Sequence, residues 1–525
     1  MKNKKDYQKL FLSEKNRMSK LSFLFGSTGF VFLILLLELI FIFVVYLKLL
    51  DYIIPIISAV IVLDFIVLLY MLNVDEDYES YKITWAVIIL LVPILGSLAY
   101  LFVKFDVFNN RYKKHFIDRN KKFSQFIKND EKLIEKIKNE DIELYHLHNF
   151  LKNSCNNGVF TNCEVKYFPS GEEMFSTYLE ELKKAEKFIF LEYFIIDRGK
   201  MWNQILEILL EKVEAGVDVR VIYDGTCDFT KLPANYHKRL NNAGIKCVKF
   251  APLYPFISTY FNFRDHRKMT VIDGKVAFTG GVNIADEYIN QKEVFGYWKD
   301  TAIMIKGQAV KSFTAMFLQL SVQEITDQEI DYINCSDGLT FDYEGYIIPY
   351  GDIPMDNYLV GKGVYLDILN QAKEYVYIMN PYFILDGEFL NAIKFAAQKG
   401  IDVRILLPGI PDKVYINKIA KSYYKTMIDY GVKIYEYTEG FVHGKMMVSD
   451  DKKAIVGTIN LDYRSLYHHF ENAVYIYGME VVLDVKNDML DCFSKSKLIT
   501  YKEVAEQKLS TKIVAYLFKI FEPLL

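Results

Sequence analysis

The feature that most constrains this chain is a short pattern written twice. Asp265-His266-Arg267-Lys268-Met269-Thr270-Val271-Ile272-Asp273 is followed, six residues on, by Gly280-Gly281-Val282-Asn283, and the same spacing returns at His443, Lys445, Asp450, Gly457, Thr458 and Asn460. Composition does not generate such a coincidence twice, so the chain is read as a duplicated domain. In a strand, residues i and i+2 point to one face, which sets His266 beside Lys268 and His443 beside Lys445. A pseudo-two-fold axis relating the two copies can bring the imidazoles to opposite sides of one phosphate, where one attacks and the other protonates. Lysine charge and the amides of Asn283 and Asn460 then serve a phosphodiester without a metal.

The repeat extends beyond the motif. Amphipathic helix 172–185, apolar strand 188–196, helix 205–214 and strand 217–223 are echoed by 365–372, 375–383, 389–398 and 401–407. Gly216-Val217-Asp218-Val219-Arg220 and Gly400-Ile401-Asp402-Val403-Arg404 match almost letter for letter, each glycine closing a helix where a left-handed residue is needed. Continuous apolar strands between helices predict an α/β fold with each sheet covered on both faces. The expected divisions are a membrane anchor at 1–104, a helical connector at 105–150, a first α/β domain at 151–340, a second at 341–500 and a C-terminal amphipathic helix at 501–525. The halves are expected to meet within 336–351, a stretch rich in Asp, Gly and Tyr.

A net charge of −3 leaves no basic footprint for nucleic acid. Six cysteines without a C-x-x-C pair read as buried free thiols. The mean hydropathy of +0.08 comes from the first hundred residues. Segments 21–47, 52–74 and 83–103 are each long and apolar enough to cross about 30 Å of hydrocarbon, giving two or three expected spans. Glu38 and Asp64 interrupt the first two, at a cost of about 2.5–3.5 kcal/mol each if ionised at mid-bilayer. Lysines and arginines crowd both the N-terminal arm and the stretch after 103, so both flanks ask for the cytoplasmic side. Three full crossings cannot satisfy both. His468 and His469 are expected to be packing or surface residues, since no cysteine or carboxylate stands at ligand spacing.

The two motifs resemble the HKD motifs of the phospholipase D superfamily. Phe263-Arg264-Asp265-His266-Arg267-Lys268, Gly280-Gly281-Val282-Asn283-Ile284-Ala285-Asp286-Glu287-Tyr288 and Gly457-Thr458-Ile459-Asn460-Leu461-Asp462-Tyr463-Arg464-Ser465 are similar to the bacterial cardiolipin synthases within it. Asp265 departs from the pattern, standing where asparagine is expected. The resemblance implies N-terminal transmembrane helices followed by two tandem phospholipase D-like α/β/α sandwich domains. It also implies a phosphatidyltransferase that condenses two phosphatidylglycerols into cardiolipin and glycerol through a phosphohistidine. A membrane-anchored phospholipase D that releases phosphatidic acid uses the same residues and stays as the alternative. The implied catalytic set is His266, Lys268, Asp273, His443, Lys445 and Asp450, with Asp273 and Asp450 expected to brace the motif. Asn283 and Asn460 are expected at the phosphate. Asp300 in Trp298-Lys299-Asp300 is expected to orient His266, and Glu471 in Phe470-Glu471-Asn472 to orient His443. His266 is the implied nucleophile. No metal or cofactor is expected, and the partners implied are membrane phospholipids, with no nucleic acid and no protein partner named by the sequence. The implied location is the bacterial cell membrane, multi-pass, with the catalytic domains at the cytoplasmic face.

Overall fold

Runs such as Phe188-Ile189-Phe190-Leu191-Glu192-Tyr193 are buried at every position, as strands covered on both faces must be. In the computed structural model the first half contributes β1 (Glu164–Phe168), β2 (Phe188–Tyr193), β3 (Asp218–Asp224), β4 (Lys246–Phe250), β5 (Arg264–Asp265), β6 (Lys268–Ile272), β7 (Val276–Gly280), β8 (Tyr297–Lys299) and β9 (Ala302–Lys306). The second contributes β10 (Tyr346–Asp352), β11 (Tyr375–Met379), β12 (Asp402–Pro408), β13 (Lys433–Tyr437), β14 (Gly440–Val442), β15 (Met446–Ser449), β16 (Lys453–Gly457), β17 (His469–Tyr477) and β18 (Ser496–Leu498). The structure describes the chain from Ile53 onward except residues 74–77, 106, 128–129, 156, 252–262, 322–324, 357, 507–508 and 525, with scattered helical positions between 36 and 44.

The first sheet runs β1-β9-β7-β6-β2-β3-β4 and the second β10-β17-β16-β15-β11-β12-β13, with β18 beyond. In each, the first four pairings are antiparallel and the next two parallel, so the motif strands β6 and β15 hold equivalent places. One core lies between the sheets and draws on both, with Phe190, Val271 and Ile305 meeting Tyr377, Met446 and Val474 around the helices Val310–Ser321 and Val481–Ser494. Two further cores lie on the outer faces. The connector helix Ile142–Cys155 packs into the outer core of the second half, although it precedes the first half in sequence.

β5 and β14 reach across to the opposite half. β14 pairs in parallel with β8, and β5 pairs in parallel with β17. These two short pairings place the functional residues.

At the membrane end, the helix Ile54–Asn73 is the one helix among the described residues that is long and apolar enough to cross a bilayer. The expected span 21–47, with Glu38, lies almost wholly outside the described residues. The expected span 83–103 is corrected: it folds as two helices, Glu79–Leu91 and Leu95–Lys104, of about 20 and 15 Å. The break falls at Pro93, which lacks an N–H and restricts the residue before it, and Ile94 takes a φ of +66°. The arms close on each other, with the Trp85 and Tyr100 rings 5.6 Å apart. A Cβ on Gly96 would lie 2.9 Å from the Ile88 carbonyl oxygen, so only glycine lets the arms approach this closely. Asp64 caps the turn from the neighbouring helix, accepting from Ser97 Oγ at 2.6 Å and Ile94 N–H at 3.4 Å. The hairpin is tied to the catalytic body: Tyr78 stacks on Tyr467, Tyr463 Oη donates to Ser80 Oγ at 3.0 Å, and Thr84 Oγ1 donates to the Ile520 carbonyl at 2.7 Å.

Candidate active site

His266 follows β5 and His443 follows β14, so register decides what stands beside each imidazole. The β14–β8 pairing ends with Val442 opposite Lys299, which brings His443 level with Asp300. His443 N–H donates to the Lys299 carbonyl at 2.7 Å, and His443 Nδ1 lies 2.7 Å from Asp300 Oδ2. Likewise Asp265 pairs with Phe470, which brings His266 level with Glu471. His266 N–H donates to the Phe470 carbonyl at 2.9 Å, and its Nδ1 lies 2.8 and 3.0 Å from the two Glu471 oxygens.

The expected pairing of Asp300 with His266 and Glu471 with His443 is therefore corrected. Each imidazole takes its carboxylate from the other half. Chain order assigns each acid to the preceding histidine, whereas β5–β17 and β8–β14 exchange them. A carboxylate at Nδ1 holds the proton there and leaves Nε2 bare. Both acids are fully buried and anchored further. Thr458 Oγ1 donates to Glu471 Oε2, while Asp300 accepts from Thr301 N–H at 2.8 Å and from the Trp298 indole at 3.4 Å. The motif's one internal difference follows from this: a Cβ at Gly281 would sit 2.0 Å from Asp300 Oδ1, whereas Thr458 at the matching place supplies a hydroxyl.

Lys268 Nζ donates to the His266 carbonyl at 2.7 Å, and Lys445 Nζ donates to that of His443. Burial holds His266 well below the usual imidazole range, and the charges of Lys268 and Lys445 add to the effect. Burial and Lys445 push His443 down to about 4 against the pull of Asp300. Burial also brings Lys268 down to about 8 and Lys445 to about 7, although Asp300 and Glu471 favour their charged forms. Burial alone would raise Asp300, but His443 and Lys445 hold it below the usual carboxylate range. Two neutral imidazoles beside two strained ammonium groups suit an anion between them.

The other expected site residues divide. Asp273 and Asp450, grouped with the catalytic set by the motif, belong to the far ends of β6 and β15. Asp273 accepts from the backbone N–H groups of Glu186, Lys187 and Phe188, and Asp450 from those of Lys373, Glu374 and Tyr375. They brace turns, each at a positive φ. Asn283 accepts from Ile195 N–H at 3.0 Å and donates to Tyr288 Oη at 2.9 Å. Asn460 is buried with its Oδ1 unbonded.

Sequence reasoning gave no site role to the rings that wall the imidazoles: Tyr288 and Trp298 at 5.3 and 5.4 Å from His443, Phe194 at 4.9 Å from His266, and His469, which packs 5.4 Å from His266. Asp265, at the position that departs from the family pattern, is fully buried, and burial pushes its carboxyl up to about 7 despite Arg267. Among the described residues, His266, His469 and Glu471 form the group spaced to hold a metal ion. Glu471 lies two residues past His469 on β17 and so shares its face, a periodicity that could have flagged the pair. His266 Nδ1 and Glu471 are already joined to each other, and Lys268 and Lys445 act electrostatically on the same imidazole, which disfavours a cation.

The family described as "Cardiolipin synthase, PLD-like domain" matches residues 178–320 and 365–492, and "Phospholipase_D-nuclease N-terminal" matches 62–104. An uncharacterized protein of Streptococcus mutans is 48% identical across 87% of this chain and 99% of its own. A cardiolipin synthase of a Geobacillus species is 32% identical across 87% and 91%. Phosphatidylserine synthase of Haemophilus influenzae superposes with a TM-score of 0.56 at 17% identity, over 73% of this chain and all of that one, a likeness of fold.

Proposed function

This chain belongs to the phospholipase D-like cardiolipin synthase family, and from that premise we propose that it is a membrane-bound phosphatidyltransferase joining two phosphatidylglycerols into cardiolipin and glycerol. The observation that carries the reading is the pair of buried imidazoles, each with Nδ1 tied to a carboxylate. His266 Nε2 attacks the phosphorus of the first phosphatidylglycerol, the phosphorus–oxygen bond to the headgroup glycerol breaks, and His443 gives its proton to the departing oxygen. Phosphatidyl-His266 results. A hydroxyl of the second phosphatidylglycerol then returns a proton to His443 as its oxygen attacks phosphorus and the phosphorus–nitrogen bond breaks. The phosphodiester charge offsets Lys268 and Lys445, the same groups that depress the imidazoles, so substrate binding itself favours the protonated His443 that the first step needs. Asp300 stabilises that imidazolium and Glu471 fixes the tautomer of His266.

We place the chain in the membrane with two crossings, 21–47 and Ile54–Asn73, and the 79–104 hairpin returning to the side from which it entered. Both basic flanks then lie on the cytoplasmic side with the catalytic halves. Segment 1–104 serves as anchor, 105–150 as connector, 151–340 and 341–500 as the catalytic halves, and 501–525 as the closing segment, which holds the separate helices Tyr501–Ala505 and Leu509–Lys519 in place of the single helix expected.

The test is purified chain with labelled phosphatidylglycerol alone, with and without a chelator. Cardiolipin and free glycerol in both arms are the expected products. Phosphatidic acid as the dominant product overturns the transferase in favour of hydrolysis, and loss of activity with chelator, restored by one specific cation, overturns the metal-free mechanism.

A further inference from the structure

The C-terminal helix Leu509–Lys519 is amphipathic the wrong way round for a helix docked on a soluble domain. It packs on the helix Val414–Asp429, with Ala515 buried and Lys519 Nζ 3.8 Å above the Tyr423 ring. Ile513, Tyr516, Leu517 and Ile520 fall at i, i+3, i+4 and i+7 and form a stripe that faces outward, each between 39% and 59% exposed. Beside it Phe518 lies 6.2 Å from Tyr415, and Val414 is more exposed than any of them.

The stripe is continuous at one end with the membrane hairpin, whose Thr84 bonds the carbonyl of Ile520 and whose Leu90, Leu91 and Phe102 are exposed in turn. Tyr415, beside Phe518, lies two residues after Lys413, whose charge acts on His266. Lys413 Nζ donates to Tyr382 Oη at 3.2 Å, and Tyr382 Oη donates to Asp412 at 2.7 Å.

We propose that the outward face of 513–520, with Val414 and Tyr415, is a second membrane contact that lies in the interface of an anionic phospholipid bilayer and holds the catalytic halves against it. An apolar stripe with cations at its border lies in the plane of such an interface. The re-entrant hairpin fixes one side of the catalytic body to the bilayer, and this face fixes the next, so substrate headgroups reach His266 and His443 without leaving the surface. The inference rests on the transferase reading for its substrate, but its test does not.

The full chain, reconstituted in vesicles of phosphatidylglycerol and phosphatidylethanolamine, carries a fluorophore at Leu517→Cys or, as control, at Lys502→Cys, with the unsubstituted chain as background for the native thiols. Quenching at 517 by lipids brominated on their acyl chains, and at 502 by aqueous iodide, is expected. Equal iodide quenching at both positions overturns the proposal. So does protection of 517 from both quenchers with cross-linking between copies, which assigns the face to a second chain. Tyr516→Asp with Leu517→Asp is expected to slow turnover of vesicle lipid about tenfold while leaving cleavage of a short-chain, monomerically dispersed substrate unchanged. An unaltered vesicle rate overturns the proposal. If phosphatidic acid is the product, the transferase reading fails while the quenching result stands.

Discussion

An imidazole whose Nδ1 proton is held by a carboxylate offers a substrate only its Nε2, and in this chain each carboxylate arrives from the other half. The exchange has a kinetic signature. With a phosphatidyl ester of p-nitrophenol, a leaving group that needs little protonation, a burst of nitrophenol is expected to survive His443→Ala and Asp300→Asn but to be lost in His266→Ala and Glu471→Gln. On phosphatidylglycerol each histidine variant is expected to fall by about 10³-fold or more, and the double variant no further. A burst that survives Glu471→Gln and disappears with Asp300→Asn would restore the pairing that chain order suggests. Asp352 adds a pH dependence. It pairs with Glu471 across β10 and β17, accepts from Gly361 N–H at 2.7 Å, and is pushed by burial from its ordinary 3.8 up to about 8. Between those values the native chain binds a proton that the unfolded chain lacks. Its stabilising contribution is therefore full below the lower value and is lost as pH rises to the upper one, by at most about 1.4 kcal/mol per pH unit. Urea unfolding of Asp352→Asn in detergent is expected to change less between pH 5 and 8 than that of the parent. An identical pH dependence would remove Asp352 as the cause.

At the scale of elements, the third apolar segment is a hairpin, and its flanks are expected on one side. Glu79→Cys and Lys104→Cys, in sealed vesicles, should react with an impermeant thiol reagent from the same face. Reaction from opposite faces would make the segment a full crossing. Hydropathy could not distinguish the two, because a turn between two apolar helices is as apolar as one long helix. Pro93 and Gly96 carried the signal. The long strands were legible for the opposite reason, since β11 and, but for Glu192, β2 are apolar runs bounded by helices. β5, β8 and β14 have two or three residues each, too few for any period, and they are the elements that deliver Asp265, Asp300 and His443 to the site. The motif residues could be read from the sequence, but the partnership of Asp300 and Glu471 could not.

For the whole molecule, the halves are fastened by an ion pair beside the site. Lys299 Nζ lies 2.7 and 2.8 Å from the two Asp488 oxygens, and Tyr167 Oη donates to Asp488 at 2.5 Å. Lys299 is also the residue whose carbonyl takes the His443 N–H. Removing one partner leaves a buried charge alone, so Lys299→Met is expected to destabilise by about 3–5 kcal/mol, and Lys299→Met with Asp488→Leu to recover most of it. The shift in urea midpoint measures both, and equal loss in the single and double variants would show that the pair is not coupled. The duplication itself was plain in the sequence because both copies keep their motif letters, and the shared core between the sheets follows from two apolar faces with no other cover. The exchange of carboxylates has one further consequence, for descent. A repeated gene segment ordinarily leaves one copy free to decay while the other works. Here a change beside Asp300 is felt at His443 and a change beside Glu471 at His266, so neither copy can lapse into scaffolding, and selection must act on the two as one heritable unit.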